Sequence, residues 1–285
     1  MQIDVLSTGT VNIRPQHRLR NGSPMLWWLF TSRRWTQDFP INVYVIRHGD
    51  EVVLFDAGQD RRSVTDPHYF PRGFAGLAYR RLARFTIGAD DTVPAQLHAL
   101  GIAPEQVSTV VISHLHQDHI GAIGQLPGAR LVASRTELDR LDRPGAELAG
   151  FLVRHLRDPG FDWQPTDVDE PLGDELQPFT HGHDLFGDGS CILLPLPGHT
   201  PGSLGALVRP NDGPPILLVG DLTYDVELLE HEHLPGVGPR AVILDSTQKV
   251  NELCRRMPGL VVLAAHDPGA ASALRLAREQ AIMGS

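Results

Sequence analysis

The chain has 285 residues, 41% hydrophobic and 21% charged, with a formal net charge of −9. That balance suits a globular fold with a sizeable core and opposes nucleic acid or an anionic membrane as the main partner. Two cysteines, Cys191 and Cys254, stand far apart and outside any C-x-x-C pattern, which argues against a disulfide scaffold and rules out a thiolate zinc site.

The N-terminal stretch lacks a basic start followed by an apolar core, so no signal peptide is expected. No apolar run reaches bilayer-spanning length. The expected location is the cytoplasm, and one domain is expected over residues 1–285. "QIDVLSTGTV" reads as a strand. Residues 21–39 carry Trp27, Trp28, Phe30 and Trp35 with no clear period and read as an irregular loop. "NVYVIRHGDEVVLFDAG" reads as a hairpin turning at His48-Gly49-Asp50. Residues 60–88, rich in Arg, Pro and Gly, read as a second irregular loop.

From residue 91 strands and helices alternate. "DTVPAQLHAL" reads as a helix stopped by Gly101, and "STVVIS" as a buried strand. "ARLVA" is another strand, after which Ser134 and Glu137 form a capping box. Residues 143–190 are polar, with a helix expected over 146–156. The strands "SCILLPL", "SLGALVR" and "PILLVG" follow, then a helix over 248–256, the strand "LVVLAA" and a helix over 270–282. This order implies sheets covered by helices.

Directly after "STVVIS" comes "HLHQDH". His114 and His116 stand two apart, so an extended chain turns both imidazoles the same way. Asp118 and His119 follow in the turn. Imidazole and carboxylate suit borderline divalent metals, and three histidines with a carboxylate exceed the needs of one catalytic zinc. Two ions are therefore expected. His199, Asp221 and His266 each stand at the exit of an apolar strand, where α/β folds place functional groups. A lone histidine after a strand is more often a hydrogen-bonded surface residue; it is the recurrence of the pattern that favours a site. His181-x-His183 and His231-x-His233 lie in polar, loop-like sequence and are read as solvated.

His114-x-His116-x-Asp118-His119, Gly198-His199, Gly220-Asp221 and His266 together resemble the metallo-β-lactamase superfamily of metal-dependent hydrolases. "LFDAG" at residues 54–58 resembles that family's early Asp-x-Gly turn. The match runs from about residue 42 to residue 267. It implies an αββα sandwich of two mixed β-sheets flanked by helices, with the site at one edge. It also implies that His114, His116 and His199 hold one metal, that Asp118, His119 and His266 hold a second, and that Asp221 bridges them. Zinc is the first expectation, with manganese, iron or cobalt as alternatives. Asp56 is expected to orient a ligand and not to bind metal itself.

Tyr224, three residues after Asp221, is similar in placement to the catalytic tyrosine of the N-acyl homoserine lactonases, the quorum-quenching branch. The resemblance implies ring opening by a hydroxide bridging two ions, with Tyr224 and Asp118 catalytic. A tyrosine packed on the surface is the bland alternative. Trp27, Trp28, Phe30, Tyr69 and Phe70 are expected to wall an acyl-chain pocket, or equally to form a homodimer contact. An aryl-ester or organophosphate hydrolase is the nearest rival. A glyoxalase II-type thioesterase, which carries a helical domain after its last ligand, and a non-catalytic metal-binding protein rank lower.

Overall fold

The computed structural model describes residues 1–211 and 213–284, with side chains to residue 279. Seven strands make the first sheet: β1 (Gln2–Ile13), β2 (Phe39–His48), β3 (Glu51–Phe55), β4 (Ala83–Thr86), β5 (Val107–Val111), β6 (Arg130–Ser134) and β7 (Asp162–Thr166). Their order across the sheet is β4-β1-β2-β3-β5-β6-β7. Pairing is antiparallel as far as β3 and parallel from β3 through β5 and β6 to β7. The second sheet runs β13-β12-β11-β10-β9-β8, built from β8 (Glu170–Pro171), β9 (His181–Asp184), β10 (Cys191–Pro195), β11 (Leu204–Val208), β12 (Ile216–Leu218) and β13 (Val261–Leu263). Only its β12–β13 pair is parallel.

The side-chain period of two sorts each strand between two cores. Tyr44, Ile46, Val53 and Phe55 of the first sheet meet Cys191, Leu193, Ala206 and Leu218 of the second, forming the core between the sheets. Their neighbours Val43, Val45 and Leu54 turn the other way, onto Val93 and Leu97 of the helix Val93–Ala99. On the far side of the second sheet, Leu194, Leu207 and Leu217 pack on the helix Arg240–Arg256. That helix buries Ile243, Ser246, Thr247, Val250 and Asn251, the i, i+3, i+4, i+7, i+8 stripe of an amphipathic helix. The layers run helix, sheet, sheet, helix, as the αββα expectation requires.

Several local expectations need correction. Residues 21–39 contain the helix Met25–Thr31. Residues 60–88 contain the helices Arg62–Thr65 and Gly73–Leu82 and the strand β4. The helix expected over 146–156 is two short pieces, Ala146–Ala149 and Val153–Leu156, because Gly150 interrupts them with φ +100°. The helix expected over 248–256 begins at Arg240. His181 and His183 lie on β9 rather than in a loop, and His183 pairs with Glu170 at 2.6 Å. His231 and His233 are exposed, as expected. Both cysteines are free. Among the described residues, no helix is long and apolar enough to cross a membrane.

Candidate metal centre

The exits of β3, β5, β12 and β13 and the turn from β10 to β11 converge at one edge of the sandwich, and each contributes at least one of the expected residues. His114, His116 and His199 form a triangle with ring centroids 4.5–4.8 Å apart. His119 and His266 lie beside it, 5.5 Å apart. Asp221 stands between the two sets and offers each a different oxygen. Its Oδ2 is 3.5 Å from His199 Nε2 and 4.0 Å from His114 Nε2. Its Oδ1 is 3.4 Å from His119 Nε2 and 3.3 Å from His266 Nε2. Asp118 closes the second set, with Oδ1 3.8 Å from His119 Nε2 and Oδ2 3.6 Å from His266 Nε2.

The far nitrogens of His266, His119 and His116 are anchored, which decides where the near ones point. His266 Nδ1–H donates to the Pro40 carbonyl at 2.9 Å, so its Nε2 lone pair faces the cluster. His119 Nδ1 lies 2.8 Å from Asp56 Oδ2. Asp56 also accepts from Ser113 N at 2.7 Å and Ser113 Oγ at 2.9 Å. These bonds hold Asp56 at φ 65°, a conformation that costs a non-glycine residue about 1–2 kcal/mol. Asp56 thus orients His119 from behind, at a distance from the cluster's centre. His116 Nε2 contacts the Ala149 carbonyl at 3.3 Å and turns Nδ1 to within 2.9 Å of His199 Nε2. A Cβ at Gly150 would sit 2.6 Å from the His116 ring, so the glycine there keeps this imidazole in place.

The donor set fits divalent cations. Among the described residues, His114 Nε2, His119 Nε2 and Asp221 Oδ1, all facing the cluster, are buried without a hydrogen-bond partner. Ligand atoms of three groups, His114/His116/His199, His114/His119/Asp221 and Asp118/His119/His266, lie within 4.8 Å of one another. Burial pulls His114 and His199 well below the ordinary imidazole value, and His116 below it, leaving neutral rings with free lone pairs. Burial alone would raise Asp221, but His266 and His119 outweigh it and hold the carboxyl well below its usual range. Burial opposes charge on His119 too. There Asp56 and Asp221 prevail and raise it, so the centre favours positive charge between these carboxylates.

Tyr224 Oη lies 3.3 Å from Asp221 Oδ2, and its ring stacks on His266 at 5.4 Å. Burial raises its phenol well above the usual value, so it remains a hydrogen-bond donor. The cluster opens into a cavity with apolar walls from Ile13, Met25, Leu29, Leu82 and Ala83.

A sequence profile described as the Metallo-beta-lactamase superfamily matches residues 36–279. The chain belongs to the metallo-β-lactamase superfamily. Within the superfamily it is 32% identical over 237 residues to the "N-acyl homoserine lactonase AttM" of Azorhizobium caulinodans, covering 82% of this chain and 84% of that one. An N-acyl homoserine lactone hydrolase with N-hexanoyl-L-homoserine at its catalytic metal centre superposes with a TM-score of 0.75, 17% identity and 95% coverage of both chains. AidC, described as a dizinc quorum-quenching lactonase, gives 0.62 at 15% identity, covering 93% of this chain and 87% of that one. At those identities the structural likeness is one of fold.

The superfamily frame does not extend to the expected pocket aromatics, none of which lines this cavity. Trp28 is buried behind it, stacked on His17. Trp27 is 65% exposed. Phe30 stacks on Phe74 outside. Tyr69 and Phe70 pack into a separate cluster with Tyr79 and Leu152. Two neighbours of the cluster escaped the sequence. Glu137 is buried and accepts from Gly202 N at 2.8 Å and Leu115 N at 3.3 Å, so it ties the His199 turn to the His114–His119 turn; its capping-box spacing disguised that use. His17 lies against Tyr224, and no spacing marks it.

Proposed function

We propose that this protein is a metal-dependent hydrolase that opens N-acyl homoserine lactones. In this reading His114, His116 and His199 hold one ion, Asp118, His119 and His266 a second, and Asp221 both. The observation that carries the reading is the split of Asp221: one oxygen faces each imidazole set, with the Tyr224 phenol beside it. The curated relatives named as lactonases favour lactones over other esters. Zinc is the proposed metal, in line with the neutral imidazoles and the dizinc relative.

When bound, two such ions supply hydroxide at neutral pH and polarise a carbonyl. The protein's own groups do the rest. Tyr224 donates its proton as a hydrogen bond to oxygen developing charge at the scissile ester. Asp118 relays the proton lost by the attacking water to the departing ring oxygen. Water is thereby added across one C–O bond, giving the N-acyl homoserine. Ile13, Met25, Leu29 and Leu82 receive the acyl tail. Such lactones carry quorum signals, so the activity would quench them. The free thiols Cys191 and Cys254 support work in the cytoplasm.

Mass spectrometry of N-hexanoyl homoserine lactone incubated with zinc-loaded protein tests the reading. A gain of one water, abolished by chelator, is expected. Turnover of aryl esters or phosphotriesters with the lactone untouched would replace it with the rival reading.

A further inference from the structure

His17 is a buried histidine that no motif identifies. It sits in the single turn Pro15–Arg18 that follows β1. Trp28 stacks on one side at 5.9 Å, and His199 lies parallel at 6.2 Å. Its Nε2 is 2.9 Å from Tyr224 Oη. The turn is pinned to the segment that carries the tyrosine: Arg18 pairs with Asp225 at 2.9 Å, and Gly236 N donates to the His17 carbonyl at 2.8 Å.

The ring is buried, and a neutral imidazole carries one N–H and one lone pair. Among the described residues Nδ1 has no partner. With the hydrogen on Nδ1, a buried donor is left unmet and the only phenol proton is drawn back to His17, away from Asp221. With the hydrogen on Nε2, two bonds form in series: His17 donates to the phenol oxygen, and the phenol donates to Asp221 Oδ2. Only a lone pair is then unmet. A phenol oxygen that accepts one hydrogen bond also becomes a stronger donor of its own.

We infer that His17 is a positioning residue whose Nε2–H donates to the Tyr224 oxygen and keeps the phenol proton aimed at Asp221 and the reacting ester. Only the kinetic part of this inference rests on the lactonase reading.

The test is nitrogen-15 NMR of histidine-labelled, zinc-loaded protein, with the His17 signals assigned by their loss in His17→Gln. The expected result is a protonated Nε2, a bare Nδ1, and a shift of the Nε2 signal in Tyr224→Phe. A protonated Nδ1 overturns the inference, whatever the substrate. In lactone hydrolysis, His17→Phe should lower kcat about tenfold, the scale of one lost hydrogen bond, with KM little changed. His17→Gln, which keeps an N–H at similar reach, should recover most of it. In the Tyr224→Phe background, His17→Phe should add no further loss. An equal loss in both backgrounds would mean that His17 acts independently of Tyr224 and would overturn the inference. Absence of any lactone turnover would sink the lactonase reading alone, and the tautomer would still decide the role of His17.

Discussion

The imidazole cluster and the apolar wall border one cavity but are built in opposite ways. The cluster stands on strand exits, and its ligand atoms are aimed by bonds from behind: Asp56 on His119, the Pro40 carbonyl on His266, the Ala149 carbonyl on His116. The wall comes mainly from two short helices, Met25–Thr31 and Gly73–Leu82, with Ile13 of β1 and Ala83 of β4 beside them, and its apolar side chains have only packing to fix them. Such a division lets the chemistry stay rigid while the substrate-facing surface varies.

The comparison predicts unequal costs. Asp221→Asn should do the most damage, a loss of activity on the order of a thousandfold, with metal content falling in parallel by elemental analysis. Retention of two ions and of activity would break the proposed division of Asp221 between the sets. Gly150→Ala should come next. Its Cβ meets the His116 ring, so activity should fall about 10–100-fold, and raising zinc should restore part of it. Glu137→Gln keeps one acceptor but turns an amide N–H toward a backbone N–H. It should cost about 1–3 kcal/mol of stability, read as a lower Tm, with a smaller effect on kcat.

The wall should respond more mildly. Leu29→Phe should shift preference toward shorter acyl chains by roughly tenfold, measured as kcat/KM across a chain-length series. Trp27→Ala, at an exposed position outside the cavity, should change neither chain-length preference nor stability by more than about 0.5 kcal/mol. A large effect there would return the exposed tryptophan to the substrate path.

The same contrast explains what the sequence made legible. The proposed ligands at strand exits follow apolar runs whose periodicity is plain, so His114, His116, Asp118, His119, His199, Asp221 and His266 stand out along the chain. The wall does not. "MLWWLF" is apolar throughout, which hides the helical period that turns Trp28 and Leu29 inward and Leu26 and Trp27 outward. In the helix Gly73–Leu82 the two glycines lower helix propensity, and the segment reads as loop. Glu137 and His17 act across long sequence separations, through Leu115, Gly202 and Tyr224, and local spacing does not encode such contacts.

As proposed, the hydrolytic centre needs both imidazole sets. Metal-free protein should be titrated with zinc while bound metal and N-hexanoyl homoserine lactone opening are followed together. Two equivalents per chain are expected, with ring opening rising steeply as the second set fills. Full activity at one ion per chain, or an intact lactone at two, would contradict it.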